Sequence, residues 1–426
     1  MNNERKRNLL WLSNAPHLAT GFSIVARNIL EKLYSTGKYD ISIVAINYYG
    51  DDEFDRVQFP YKYFPAQNQN HHDRLGMVKF LELLQNDVWD LAFTMYDPFI
   101  LEAMKNDFQQ LRQVKQKPFK WIGYYPVDAE QDSLWVKNSV SLTDYPVAYT
   151  YYGAEEILKK DISIKDKLEV IYHGVDPEVF FPVGKNTTLE FKRRYFGKYA
   201  DDETFIITNI NRHQIRKDLT RTMVAYKEFK KQVPNSLLYL HAKNKDVGGD
   251  LVTKAQQVGL KPGVDFIIPG NFSEYVGVDE RVLNMIYNAS DVVTSTTLGE
   301  GFGLSSIEAM ATKTLTVMPD NSALSEILGE GRGRLVKCGS TTSEFANFGP
   351  TDKDRIRPLT NVDDLVENWL WAYNNPEEKA AMEEKAYKWA MKHTWDIISD
   401  KWVELFDRAW EDLQKEEKKL MKKQKK

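Results

Sequence analysis

The stretch TSTTLGEGFGLSSIEAM, residues 294–310, governs how the rest of the chain is read. An apolar run leads into it and ends near Ser295, a loop carries Gly299, Gly301 and Gly303, and a helix is expected from Leu304 or Ser305. Glycines let a backbone approach a ligand closely, and the unpaired amides of a helix's first turn attract phosphate. Strand, glycine loop and helix together predict an anion cradle. Two carboxylates, Glu300 and Glu308, frame it. A carboxylate does not favour phosphate but accepts strongly from hydroxyl groups, so a sugar on one side of a diphosphate and a ribose on the other account for both. Ser305 and Glu308 also have the spacing of a capping box, which closes a helix start by reciprocal hydrogen bonds. That alternative leaves Glu300 and the three glycines without a reason.

Outward from this stretch, short apolar runs alternate with segments of helical periodicity along the whole chain, which predicts parallel sheets covered by helices. In the first half the runs are residues 8–13, 41–47, 89–95, 120–125, 147–151 and 168–172, with helical segments such as 23–34 and 74–85 between them. The alternation pauses at residues 173–185, HGVDPEVFFPVGK, where turn residues and two prolines read as a linker. It resumes with runs at 204–209, 236–241, 265–268, 291–295, 314–318 and 334–336. The fold class expected is α/β: two doubly wound parallel-sheet domains, residues 1–180 and 181–394, facing each other across a cleft at the carboxyl ends of their strands. A long amphipathic helix, residues 395–414, carries Trp395, Trp402, Phe406 and Trp410 and is expected to pack, not catalyse.

Composition bounds the function. With 426 residues, 42% of them hydrophobic and 12% aromatic, the chain can fill sizeable cores, and it has no apolar run long enough to span a bilayer. The single cysteine, Cys338, excludes an internal disulfide and a thiolate zinc site, and points to a reducing, cytoplasmic setting. Net charge is −4, although residues 415–426 hold seven lysines against two glutamates. That lysine-rich tail reads as a solvated, frayed helix end. The remaining body is acidic, so nucleic acid is possible as a partner but not indicated by charge.

Several segments, in the right order, resemble the retaining glycosyltransferases of family 4, which have the GT-B architecture. Glu300 and Glu308 have the spacing of that family's E-x7-E motif, in the same strand-to-helix turn. VIYHGVD at residues 170–176, followed by Phe180, Phe181 and Pro182, is similar to the family's passage into the second domain. NINR at 209–212 with Lys217 resembles the arginine and lysine that bind the donor diphosphate, LNMIYNASD at 283–291 resembles the helix before the motif strand, and Thr394-Trp395 resembles the start of the helices that cross back to the first domain.

The resemblance implies roles. Glu308 would accept from the ribose and Glu300 from the transferred sugar. The amides of Gly301, Phe302 and Gly303 would face that sugar, those of Leu304 and Ser305 the phosphates, and Arg212 and Lys217 would neutralise the departing diphosphate. Without the resemblance, Arg212 and Lys217 read as a charged helix start, with Arg216 and Arg221 nearby. In the first domain, Gly21 stands where the family has a glycine-rich loop reaching the donor, though Thr20 to Ser23 also fit a helix cap. Asp128 ends YYPVD, where a carboxylate can position an acceptor hydroxyl or be a turn residue. His17, His173 and His241 lie near strand ends and read as structural.

The activity implied is transfer of a hexose or pentose from a UDP- or GDP-sugar to an acceptor hydroxyl, with retention of anomeric configuration and with neither cofactor nor metal. The acceptor stays open among a saccharide, a lipid-linked sugar, a small molecule, a protein and a hydroxylated DNA base. Competing functions are a sugar-nucleotide epimerase or hydrolase on the same scaffold, and a non-catalytic nucleotide- or glycan-binding module. The chain departs from the family pattern at Asn211 and Asp218, where glycines are usual, at Lys313, and in the loop 319–326, which lacks paired glycines.

Overall fold

Strands buried on both faces become nearly continuous apolar runs, because helices cover each side of a parallel sheet. The computed structural model, which describes residues 5–50, 58–67, 73–114, 117–270 and 277–424, shows this twice. The chain divides into two compact units, Met1–His173 with Trp395–Lys426, and Gly174–Thr394. The division precedes the linker instead of closing it. Val175 donates its backbone N–H to His393 at 3.0 Å, and Phe180 packs edge-on against Tyr287, so the linker is tied into the second unit.

The first unit has strands β1 (Arg7–Asn14), β2 (Tyr39–Ile46), β3 (Lys62–Pro65), β4 (Leu91–Met95), β5 (Lys120–Tyr125), β6 (Tyr145–Ala148) and β7 (Glu169–Val170). They form one sheet in the order β3-β2-β1-β4-β5-β6-β7, parallel throughout. The order reverses direction between β1 and β4. Strand β3 escapes sequence reading because it is a four-residue edge ending in Pro65, and a proline donates nothing to a ladder. The run at 147–151 is shorter as a strand than expected because the Thr150 hydroxyl accepts from the Gly153 amide and starts the helix Tyr151–Lys160.

The terminal helix, Trp395–Gln424, belongs to this unit. Trp402 packs edge-on against Tyr124 with centroids 4.6 Å apart, and Phe406 stacks on Phe93, which itself stacks on Trp11. All three tryptophans of the helix are buried. The lysine-rich stretch does not fray before Gln424. Lys120 and Lys117 hold Glu416 and Glu417 at 2.6 and 3.3 Å, which anchors the helix beyond its apolar stripe. No helix among the described residues is long and apolar enough to cross a membrane.

The second unit contains β8 (Phe205–Ile210), β9 (Ser236–His241), a hairpin of β10 (Lys245–Asp246) and β11 (Gly249–Asp250), then β12 (Phe266–Ile267), β13 (Val292–Thr294), β14 (Leu315–Pro319) and β15 (Arg334–Val336), and a last hairpin of β16 (Phe345–Asn347) and β17 (Ile356–Pro358). Its main sheet runs β12-β9-β8-β13-β14-β15, again parallel, and reverses between β8 and β13. In sheets of this kind ligands settle beyond the carboxyl ends of the strands where the order reverses, which here are β8 and β13.

Candidate functional site

Both loops at that reversal point carry charge. After β8 the chain makes a short 3-10 turn, Ile215–Lys217, and enters the helix Leu219–Gln232 through Asp218. After β13 it makes the glycine loop and enters the helix Leu304–Ala311 through Gly303. The Lys217 ammonium is hydrogen-bonded to Glu300 Oε1, and Arg216 Nη1 lies 3.5 Å from Glu300 Oε2. Arg216 also donates to the Gly299 carbonyl, and the Leu298 amide donates back to the Arg216 carbonyl at 2.8 Å. Two cations and a carboxylate thus clasp the loops together. Burial pushes the Glu300 carboxyl up, but Lys217 and Arg216 outweigh it and hold the group below the ordinary carboxylate range.

The start of the motif helix settles the capping alternative. The N-cap is Gly303, at φ +93°, and no side chain closes the first turn. Ser305 lies inside the helix, and Glu308 accepts from the Tyr287 hydroxyl at 2.6 Å instead of reaching back. There is no capping box. Gly303 cannot take a side chain easily, since a Cβ would stand 2.9 Å from Leu324 Cδ2 as well as requiring a left-handed backbone. Glu308 is buried, which pushes its carboxyl up to about 7 against the opposing pull of the Tyr287 hydrogen bond. Gly301 and Phe302 lie in the turn between Glu300 and Gly303, with Phe302 buried.

The chain meets its missing glycines by bending side-chain-bearing residues into the same backbone region. Asp218 has φ +42°, Lys313 +57° and Ser322 +48°. For L-residues such conformations cost on the order of 1 kcal/mol each, so each needs local support. The Asp218 carbonyl accepts from Thr296 at 2.8 Å, the Ser322 hydroxyl accepts from the Glu300 amide at 2.8 Å, and Lys313 pairs with Glu384 at 2.6 Å. Asn211 bonds Asn209 and Ser295, joining the ends of β8 and β13.

Other residues singled out in the sequence are placed differently. Arg212 makes a two-pronged contact with Asp246 of the β10–β11 hairpin, at 2.8 and 3.2 Å. Gly21 opens the helix Gly21–Ser35 of the first unit, whose start is closed by the Thr20 hydroxyl. Asp128 follows β5 at the carboxyl edge of the first sheet. His173 and His241 are buried, which pushes them down to about 3 and about 4. Both stay neutral in the physiological range. Choice between a uridine and a guanosine donor is expected to depend on the loops 241–245 and 269–273, of which residues 271–273 lie outside the described residues. Arg216, Tyr287, Ser322 and Asp246 were not assigned from sequence. Arg216 alone carried a signal, as the second cation beside Lys217.

Residues 227–348 match the family described as Glycosyl transferases group 1. The chain has the GT-B fold. Among curated relatives, D-inositol 3-phosphate glycosyltransferase of Corynebacterium urealyticum is 23% identical over 79% of this chain and 70% of its own length. Trehalose synthase of Thermococcus litoralis is 24% identical over 54% of this chain, and the match spans only 55% of that relative. Among solved structures, sucrose-phosphate synthase from Thermosynechococcus elongatus superposes with a TM-score of 0.70 at 18% identity, covering 96% of this GT-B chain and 100% of its own. Anabaena HepE, solved in complex with UDP-glucose, gives 0.69 at 14% identity, covering 94% and 99%.

Proposed function

We propose that the chain moves a sugar from a nucleoside diphosphate sugar to an acceptor hydroxyl, with retention of anomeric configuration and without a metal. The observation that carries this is the Lys217–Glu300 pair at the β8–β13 switch, beside a helix start that no side chain caps. Lys217 and Glu300 pair with each other across the two loops. A donor arriving there offers each a better partner, phosphate oxygens for Lys217 and sugar hydroxyls for Glu300. The uncapped amides at Leu304 and Ser305 face anionic charge, and Glu308 accepts from the ribose. As the bond between the anomeric carbon and the phosphate oxygen breaks, the acceptor oxygen bonds to that carbon on the same face. The acceptor's proton passes to the departing phosphate oxygen. Fixed positive charge from Lys217, Arg212 and the helix amides stabilises that leaving group, with Arg216 holding the loop in place.

Gly21 and Asp128, at the carboxyl edge of the first sheet, are proposed as contacts for donor and acceptor respectively. UDP-glucose is the first donor to try, because a structural neighbour was solved with it. A cytoplasmic setting agrees with a single cysteine whose thiol is pushed up to about 11 by burial. The test is a panel of UDP- and GDP-sugars with saccharide, lipid-linked, small-molecule, protein and hydroxymethylated-DNA acceptors, read by mass spectrometry and by the anomeric coupling of the product. Sugar attached to an acceptor in the donor's own configuration supports the proposal. Tight nucleotide-sugar binding with no transfer or hydrolysis across the panel would leave a binding module in its place.

A further inference from the structure

The arginine matched to the diphosphate is held by a partner that no sequence pattern assigned. Asp246 lies in the β10–β11 hairpin, its side chain 6% exposed, and its two oxygens receive Arg212 Nε at 2.8 Å and Nη2 at 3.2 Å. Oδ1 also accepts from the Val247 amide at 2.7 Å, which fixes the carboxylate's own orientation. The hairpin is docked on the same loop by two further ties. The Gly248 amide donates to the His213 carbonyl at 2.9 Å, and His213 Nδ1 lies 3.3 Å from the Asn244 carbonyl. Gly248 sits so close that a Cβ there would meet the His213 ring at 2.4 Å and the His213 carbonyl oxygen at 2.8 Å. Only glycine permits this approach.

We infer that Asp246 is a positioning residue, which through its fork on Arg212 sets the edge that this guanidinium turns toward the donor diphosphate. A guanidinium has two two-donor edges in one rigid plane, Nε/Nη2 at its side and Nη1/Nη2 at its end. The Nε/Nη2 edge is engaged by Asp246, so rotation about the last side-chain bonds is fixed and the Nη1 end is aimed by geometry. A flexible arginine would have to be ordered by each incoming donor, and that ordering would weaken binding and misplace charge in the transition state. This inference rests on the proposed function.

A sequestering carboxylate would act oppositely. If Asp246 merely competed with phosphate for Arg212, its removal would strengthen binding of an anion. The two roles therefore differ in sign, and a titration distinguishes them. UDP, GDP and UMP are titrated calorimetrically into the wild-type chain and into Asp246→Ala, Asp246→Asn, Arg212→Ala and the Asp246→Ala/Arg212→Ala double variant. Thermal melts check folding. We expect Asp246→Ala to bind the preferred diphosphate about tenfold more weakly, and UMP within about twofold of wild type, consistent with positioning effects of this size. In the Arg212→Ala background the same change has less than about a twofold effect, as coupled groups require. Asp246→Asn keeps the Val247 turn and one acceptor, so it shows a smaller loss of the same sign, and it serves alone if the alanine variant does not fold. Tighter diphosphate binding without Asp246, or an equal loss in both backgrounds, overturns the inference. Failure of the wild type to bind either diphosphate overturns the proposed function first.

Discussion

Two helices begin beside the reversal point of their sheet, Gly21–Ser35 after β1 and Leu304–Ala311 after β13, and they begin differently. The first is closed by its own sequence. The Thr20 hydroxyl accepts from the Ser23 amide at 3.2 Å and is itself held by Asn14 at 2.8 Å. The second starts on a glycine with no side-chain cap, and two cations stand in the neighbouring loop. Equal topology therefore does not give equal helix starts. A capped helix start has satisfied one of its first-turn amides with a side chain, whereas an uncapped one leaves that amide too for solvent or a ligand.

The strongest way to break this contrast is to remove the cation of the second site. Lys217→Ala should lower kcat by about 100- to 1000-fold, the range for losing one group that stabilises a leaving anion, with a smaller change in donor affinity. Steady-state kinetics with the winning donor measures it, and an unchanged kcat would remove Lys217 from the mechanism. Next in size is Gly303→Ala. A left-handed backbone and the approach of Leu324 should cost about 1–3 kcal/mol in stability and weaken donor binding, read by melting curves and titration.

Glu308 supplies a sharper, pH-resolved prediction. With its carboxyl pushed up to about 7, Glu308 carries a proton at pH 6, and a ribose hydroxyl needs the ionised acceptor. Nucleotide-sugar binding then expels that proton. Affinity for UDP-glucose, whose diphosphate does not titrate near neutrality, should rise as pH passes from 6 to 8 and level off above, by at most tenfold per pH unit. Glu308→Gln should bind about tenfold more weakly at pH 8 and show a flat profile. A wild-type profile that is flat or falls would contradict the role given to Glu308. Smallest of all, Thr20→Ala should destabilise the first unit by about 1 kcal/mol and leave nucleotide affinity within about twofold. A large loss of affinity there would mean that the donor depends on the Thr20 cap itself and not only on the proposed contact at Gly21.

Much of the scaffold was legible because parallel strands advertise themselves. Residues 120–125, 236–241 and 334–336 were read as strands with the bounds they have, since apolar, β-branched and aromatic runs of that length have few alternatives. The hairpins β10–β11 and β16–β17 were not legible. Their strands are two or three residues long, too short for any period to show, and pairing depends on what they dock against. At the site, the glycine loop and its two glutamates stood out by spacing, but their contacts did not. Arg212, Arg216 and Lys217 share one short loop, and composition cannot tell which of them reaches Glu300. The 3-10 turn and the left-handed Asp218 decide that Arg216 and Lys217 do, while Arg212 turns to the hairpin.

From the sequence alone came the α/β class, the alternation of strands and helices, and the strand, glycine loop and helix proposed as a cradle for phosphate. These follow from periodicity and from conformations that only certain residues tolerate, which are local properties. The tertiary structure alone decided that Ser305 is no cap, that Glu308 sits against Tyr287 with a raised affinity for protons, and that Asp246 holds Arg212. Burial and the meeting of charges from distant segments depend on how strands are ordered in the sheet, and that order is not written in any single stretch of the chain.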